Sequence, residues 1–108
     1  MRHKAYNKIV YVKEPIFEKD ELKDKRRTGN FNEIAKAYAK IDPMPGGKTV
    51  RYEGVDIEKL IEIKMHYPKT WTMKKSYIIV HGSTEYQILD FYPDERNREL
   101  TIEAKRYD

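Results

Sequence analysis

The chain has 108 residues, 39% hydrophobic and 37% charged, and its 22 basic residues stand against 18 acidic ones for a net charge of +4 and a pI near 9.2. That size suits a single domain over residues 1–108 with a modest core, part of whose stability comes from association. The mixed charge favours a surface of salt bridges over the basic stripe of a dedicated nucleic-acid binder. Cysteine is absent, which excludes a disulfide framework and a thiolate zinc site. No apolar run approaches the length of a membrane span, and Met1-Arg2-His3-Lys4 leads into no signal-peptide core, so a soluble chain made in the cytosol is expected. The nine tyrosines suit half-buried strands and protein contact surfaces.

KIVYVKEP (8–15) alternates as a strand, with Pro15 expected to end it because proline cannot donate to a ladder. FEKDELKDKRRTGN (17–30) has charge but no apolar stripe, which predicts a long solvated hairpin loop. In NEIAKAYAKIDP (32–43) alanine favours helix. The alternation of Ala35, Ala37, Ala39 and Ile41 with Lys36, Tyr38 and Lys40 has the period of a strand, and a strand is predicted. Residues 42–59 carry Pro43, Pro45, Gly46, Gly47 and Gly54 without a sustained period, the pattern of an irregular, mobile loop. LIEIKMH (60–66) points Ile61, Ile63 and Met65 inward and Glu62, Lys64 and His66 outward. After it, YPKTWTMKK forms a connection in which Trp71 is expected to cap one end of the core.

Three strands are predicted to close the chain: Lys75–Val80, Glu85–Phe91 and Glu99–Arg106, joined by HGST and a turn rich in Pro and Asp. Leu100, Ile102 and Ala104 face one way and Thr101, Glu103 and Lys105 the other. Six strands with two long loops make an all-β fold, a small antiparallel barrel or sandwich.

The chemistry-bearing patterns are thin. Asp94 with Glu103-Ala104-Lys105 spells the outline of a metal-dependent nuclease. Asp94 falls in a turn well before the strand that holds Glu103, so the two carboxylates point from opposite ends of that strand. Glu103 and Lys105 instead suit an exposed outer strand face, where Glu103→Ala would be nearly neutral. His3, His66 and His81 have no metal-ligand spacing, and Ser76 and Ser83 sit in no nucleophile elbow. Gly46-Gly47-Lys48-Thr49 mimics the end of a phosphate-binding loop, but position 42 is Asp where the full pattern needs Gly. No catalytic residue, metal or cofactor is therefore expected. Tyr38 between Lys36 and Lys40 fits either a protein contact or single-stranded nucleic acid stacked on a β face.

The order of these pieces resembles the head-tail joining, or head closure, proteins of tailed bacteriophages. The matching stretches are Tyr38-Ala39-Lys40-Ile41-Asp42-Pro43, Ile61 to Tyr67, Gly82 with Tyr86-Gln87-Ile88, and Arg98-Glu99-Leu100-Thr101-Ile102. Tyr38 stands where that family usually has Trp, and Lys64-Met65-His66 where an Arg is common. Residues 44–59 are too divergent to align.

The resemblance implies a small six-stranded antiparallel β-barrel that assembles as a dodecameric ring in the virion neck after synthesis in the host cytoplasm. There it would close the DNA-filled head and offer the surface for tail attachment. Its partners would be a portal or adaptor protein above, a tail-terminator or tail-completion protein below, and packaged DNA in the channel, with no membrane. The loop 43–59 would be the channel-facing one, disordered before assembly, with Lys48, Val50, Arg51, Tyr52, Val55 and Ile57 as its candidates. Lys19, Lys23, Lys25, Arg26, Arg27 and Tyr38 are the candidates for subunit or portal contact. A small β-barrel that binds single-stranded nucleic acid is the alternative.

Overall fold

Two of the alternating segments meet as their patterns require: Ile63 lies opposite Ile102, Met65 opposite Leu100 and Ile61 opposite Ala104. Side chains of one parity thus build one side of a shared core. The computed structural model describes residues 6–19 and 25–107, with backbone alone at 17–19 and 25–29. Among these residues the strands are β1 (Lys8–Lys19), β2 (Lys25–Pro43), β3 (Leu60–His66), β4 (Ile78–His81), β5 (Thr84–Asp94) and β6 (Glu99–Arg106). They close antiparallel in the order β1-β2-β3-β6-β5-β4, the expected six-stranded barrel. Val10, Val12, Ala39, Ile63, Met65, Ile79, Ile88, Leu100 and Ile102 fill the interior, joined by Met73, Tyr77, Tyr86 and Ala104.

Pro15 does not end the first strand. It pairs with Phe31, and the register shifts between Pro15 and Phe17, the kind of irregularity at which a ladder accommodates proline. The ladder then continues from Phe17↔Arg27 to Lys19↔Lys25, so nine of the fourteen residues of the expected 17–30 loop are strand; residues 20–24 lie outside the described residues. Charge without an apolar stripe argues against a packed helix. It says nothing against a two-stranded ribbon, whose backbone groups satisfy each other across the ladder.

This ribbon leaves the barrel. β4 joins β1 only at Tyr11–Lys13, and β3 joins β2 only from Ala39 onward. Beyond these points β1 and β2 pair with each other alone, an arm that reaches at most roughly 20 Å past Lys13 at the usual strand rise. The radius of gyration, 14.8 Å, accordingly exceeds the ~13 Å of a compact chain of this length.

Tight turns connect the C-terminal strands. Gly82 has φ +61° at the first position of the two-residue turn between His81 and Thr84, where a hairpin of this twist needs a positive φ. Arg98 closes the longer turn between Asp94 and Glu99 with φ +53°, a left-handed conformation that costs a non-glycine residue about 1 kcal/mol. β4 is shorter than the predicted Lys75–Val80, because Tyr77 N–H turns back to the carbonyl of Lys74. β5 runs on past Phe91 to Asp94. Trp71 packs half-buried against the core.

The 43–59 segment departs most from expectation. It contains a one-turn helix α1 (Gly46–Thr49) and a 3-10 turn (Ile57–Lys59), linked by successive backbone turns from Lys48 to Val55. Met44 donates its N–H to the Leu60 carbonyl at 3.1 Å, and both side chains are buried. The segment is folded onto the barrel, not loose.

Candidate assembly surfaces on the barrel wall

The outward residues of β3, β6 and β5 bring three carboxylates together. Glu62 lies opposite Glu103, and Glu103 lies opposite Asp90. Like charges placed so repel, and burial would raise the cost further. Yet Glu103 is 0% exposed and Glu62 8%. The expected exposed outer face at Glu103 is therefore wrong: the side chain does point outward from the barrel, but the 44–59 segment covers it.

That cover supplies the missing partners. Lys48 Nζ donates to Glu62 at 2.6 Å and stands 3.9 Å from Glu103. Arg51 donates from Nη2 to Glu103 at 2.9 Å and from Nη1 to the Tyr92 hydroxyl at 2.7 Å. The Tyr52 hydroxyl donates to the other oxygen of Glu103. Tyr92 O–H faces Asp90 at 3.0 Å and Glu103 at 3.3 Å, while Lys64 approaches Glu62 within 3.8 Å and Lys75 approaches Asp90 within 3.7 Å. Among the described residues no buried side-chain polar atom lacks a partner.

The protonation equilibria follow from this packing. Burial, then the hydrogen bond to Glu103 and its charge, hold the Tyr52 phenol well above its ordinary value. Burial and Asp90 push Tyr92 upward as well, with Arg51 opposing. The Tyr92 hydroxyl and the charge of Glu103 stabilise the Arg51 cation. At Asp90 burial favours the acid form. The Phe91 N–H, Tyr92 and Lys75 outweigh it and hold the carboxyl below its usual range.

The channel-loop candidates thus divide. Lys48, Arg51 and Tyr52 turn onto the wall, and Val55 is half-buried. Val50 and Ile57 are exposed at 70% and 69%. Gly46 to Thr49 is the helical turn α1, and its Lys48 is committed to Glu62.

On the opposite flank, Tyr38 is 57% exposed and pairs in register with Ile9, 41% exposed, beside Lys36. The backbones of Lys19, Lys25, Arg26 and Arg27 lie in the arm, far along the ladder from Tyr38; their side chains, and all of Lys23, fall outside the described residues.

The sequence alone places Glu62 and Glu103 on outward strand faces but as exposed residues, and misses Asp90 and Tyr92. The only signal for them was the presence of carboxylates at matching outward positions of strands whose register was not yet known.

Asp94 accepts hydrogen bonds from Asn97 within its own turn, four ladder positions from Glu103. Among the described residues no group of three or more His, Asp or Glu is placed to hold a metal ion. A groove of about 630 Å³ runs past His66, Tyr67, Lys69, Glu95, Asn97 and Arg98 at one end of the barrel. Tyr6 packs edge-on against His66 with ring centres 4.6 Å apart, and its hydroxyl donates to Glu99 at 2.5 Å.

No family model matches the chain, and no curated protein matches it significantly. Among solved structures it is similar to the solution structure of protein SF1141 from Shigella flexneri 2a, with a TM-score of 0.66 and 12% identity over 92% of this chain and 90% of that one. At that identity the likeness concerns the fold alone.

Proposed function

We propose that this chain is a structural protein of the tailed-phage neck, a ring subunit that closes the filled head and presents a surface to the tail. The observation that carries this reading is the β1–β2 arm. A lone two-stranded ribbon is marginal in water, and one that outruns its own barrel makes physical sense when it lies against a neighbour. The order of strand motifs that resembles the head closure family supports the same reading.

In this function the 44–59 segment is a gate only after its contacts to Glu62 and Glu103 are released, so its docked form is the state before any channel contact. Shortening the arm, by replacing residues 16–30 with a tight turn, tests the proposal in phage particles. The barrel should melt at an unchanged temperature while ring incorporation at the neck is lost. Necks that form normally with the short arm would remove the arm's role.

A nucleic-acid-binding barrel is favoured by one observation only, the exposed Tyr38 beside Lys36. Binding of short single-stranded DNA that weakens steeply with salt, and is lost in Tyr38→Ser, would support it.

A further inference from the structure

In the sequence the charges of residues 48–59 cancel, with Lys48, Arg51 and Lys59 against Glu53, Asp56 and Glu58. The fold separates them. Lys48 and Arg51 are drawn inward by Glu62 and Glu103, whereas Glu53, Asp56 and Glu58 are exposed and make no ion pair among the described residues. The outer surface of the segment is therefore acidic, with Lys59 as its remaining cation, and carries the most exposed aliphatic side chains described, Val50 and Ile57.

The outer wall of β1 and β2 has the complementary character. Ile9 and Tyr38 form an exposed cross-strand pair, and the next pair, Tyr11 with Lys36, brings a cation that makes no ion pair among the described residues. Lys13 stands 5.7 Å from the Tyr11 ring centre. The acids of this wall lie at its two ends: Glu33 opposite Lys13, and Asp42, which Lys40 approaches within 3.5 Å.

We propose that these two surfaces bind each other between copies of this chain, the Val50–Ile57 knob of one copy seated on the Ile9–Tyr38 plate of the next. The knob lies over β3 and β6 and the plate over β1 and β2, different positions around the barrel. The contact is therefore head to tail, and such contacts generate rings or filaments where a self-complementary face would stop at a dimer. Acid on one side and lysine on the other fix the pairing and disfavour like faces meeting. The inference deepens the neck reading by naming the subunit contact, but it requires only self-association.

The absence of cysteine makes the test direct. Chains carrying Tyr38→Cys or Ile57→Cys are oxidised mildly, each alone and mixed, with Gln87→Cys on the exposed face of β5 as a control. The mixed pair should cross-link about tenfold more than either like pair or the control, the preference that a contact gaining ~1.4 kcal/mol over random encounter confers. Adding Lys36→Glu to the Tyr38→Cys chain should lower the yield, and adding Glu53→Lys and Glu58→Lys to the Ile57→Cys chain should restore it. Dominant like-pair products, or a mixed pair no better than the control, would overturn the contact. So would a short single-stranded oligonucleotide that shields the Tyr38→Cys thiol and suppresses cross-linking, since the plate would then be a nucleic-acid surface. Failure of the cross-link with neck rings present counts against this contact alone, and a specific cross-link without neck rings counts against the neck reading alone.

Discussion

On β3 and β6 the outward side chains are buried carboxylates covered by a chain segment, whereas on β1 and β2 they are Ile9, Tyr38 and Lys36 facing water. Both walls belong to the same barrel and alternate in the same way. The difference arises because Glu62 and Glu103 cannot remain buried without cations and hydroxyls, and the 44–59 segment brings Lys48, Arg51 and Tyr52 to them. The first wall is consumed by the fold, and the second is left facing water. Outward orientation on a strand therefore does not separate structural positions from functional ones.

The sharpest way to break this contrast is at Glu103. Replacing it by Ala should cost about 2–3 kcal/mol in urea denaturation, below the ~3–5 kcal/mol of a fully buried broken pair, because Arg51 is half-exposed and can rehydrate. In a domain of this size that lowers the melting temperature by roughly 10 °C or more. A loss under ~0.5 kcal/mol, typical of a surface position, would mean that the cover contributes nothing.

Next in size is Arg51→Ala, expected to lower the urea midpoint by less than Glu103→Ala does, because Glu103 loses one charged hydrogen bond but keeps Tyr52. A double-mutant cycle with Glu103→Ala should show strong coupling, and additive losses would argue against the pairing.

The third expectation concerns pH. Tyr52 has its folded-state pKa raised above the ordinary value of 10.0. Its contribution is therefore complete below that value and declines as pH rises through it, when the unfolded chain ionises and the folded one does not. Stability should fall with pH in the alkaline range, and Tyr52→Phe should flatten that slope. An unchanged slope would show that Tyr52 is not held by Glu103.

The smallest effect belongs to the other wall. Tyr38→Ser should change stability by less than ~0.5 kcal/mol in urea denaturation while weakening the self-association of the otherwise unchanged chain in analytical ultracentrifugation. A large loss of stability would show that Tyr38 is part of the core and would erase the contrast between the walls.

Much of the fold was written locally. The two-residue period of IVYV, AKAYAKI, LIEIKMH and ELTIEAK specifies strands and which parity lies inside, and Gly82 marks a hairpin turn, because these depend on steric preferences over a few residues. The arm was misread for the same reason. Apolar periodicity detects a strand only where one face is buried, and the ribbon at 17–19 and 25–30 is held by its ladder instead. At the site, Lys48, Arg51, Tyr52, Glu62 and Glu103 were each singled out in the sequence, but their pairing was not legible. That Glu103 is buried beside Glu62 and Asp90 depends on a register that pairs β6 with both neighbours, and on a segment more than forty residues before Glu103 folding back over it. Composition counts charges, but only the tertiary structure decided which of those in 48–59 turn inward and which reach the surface. Burial draws each cation to the carboxylate that needs it, and the acids are left facing water.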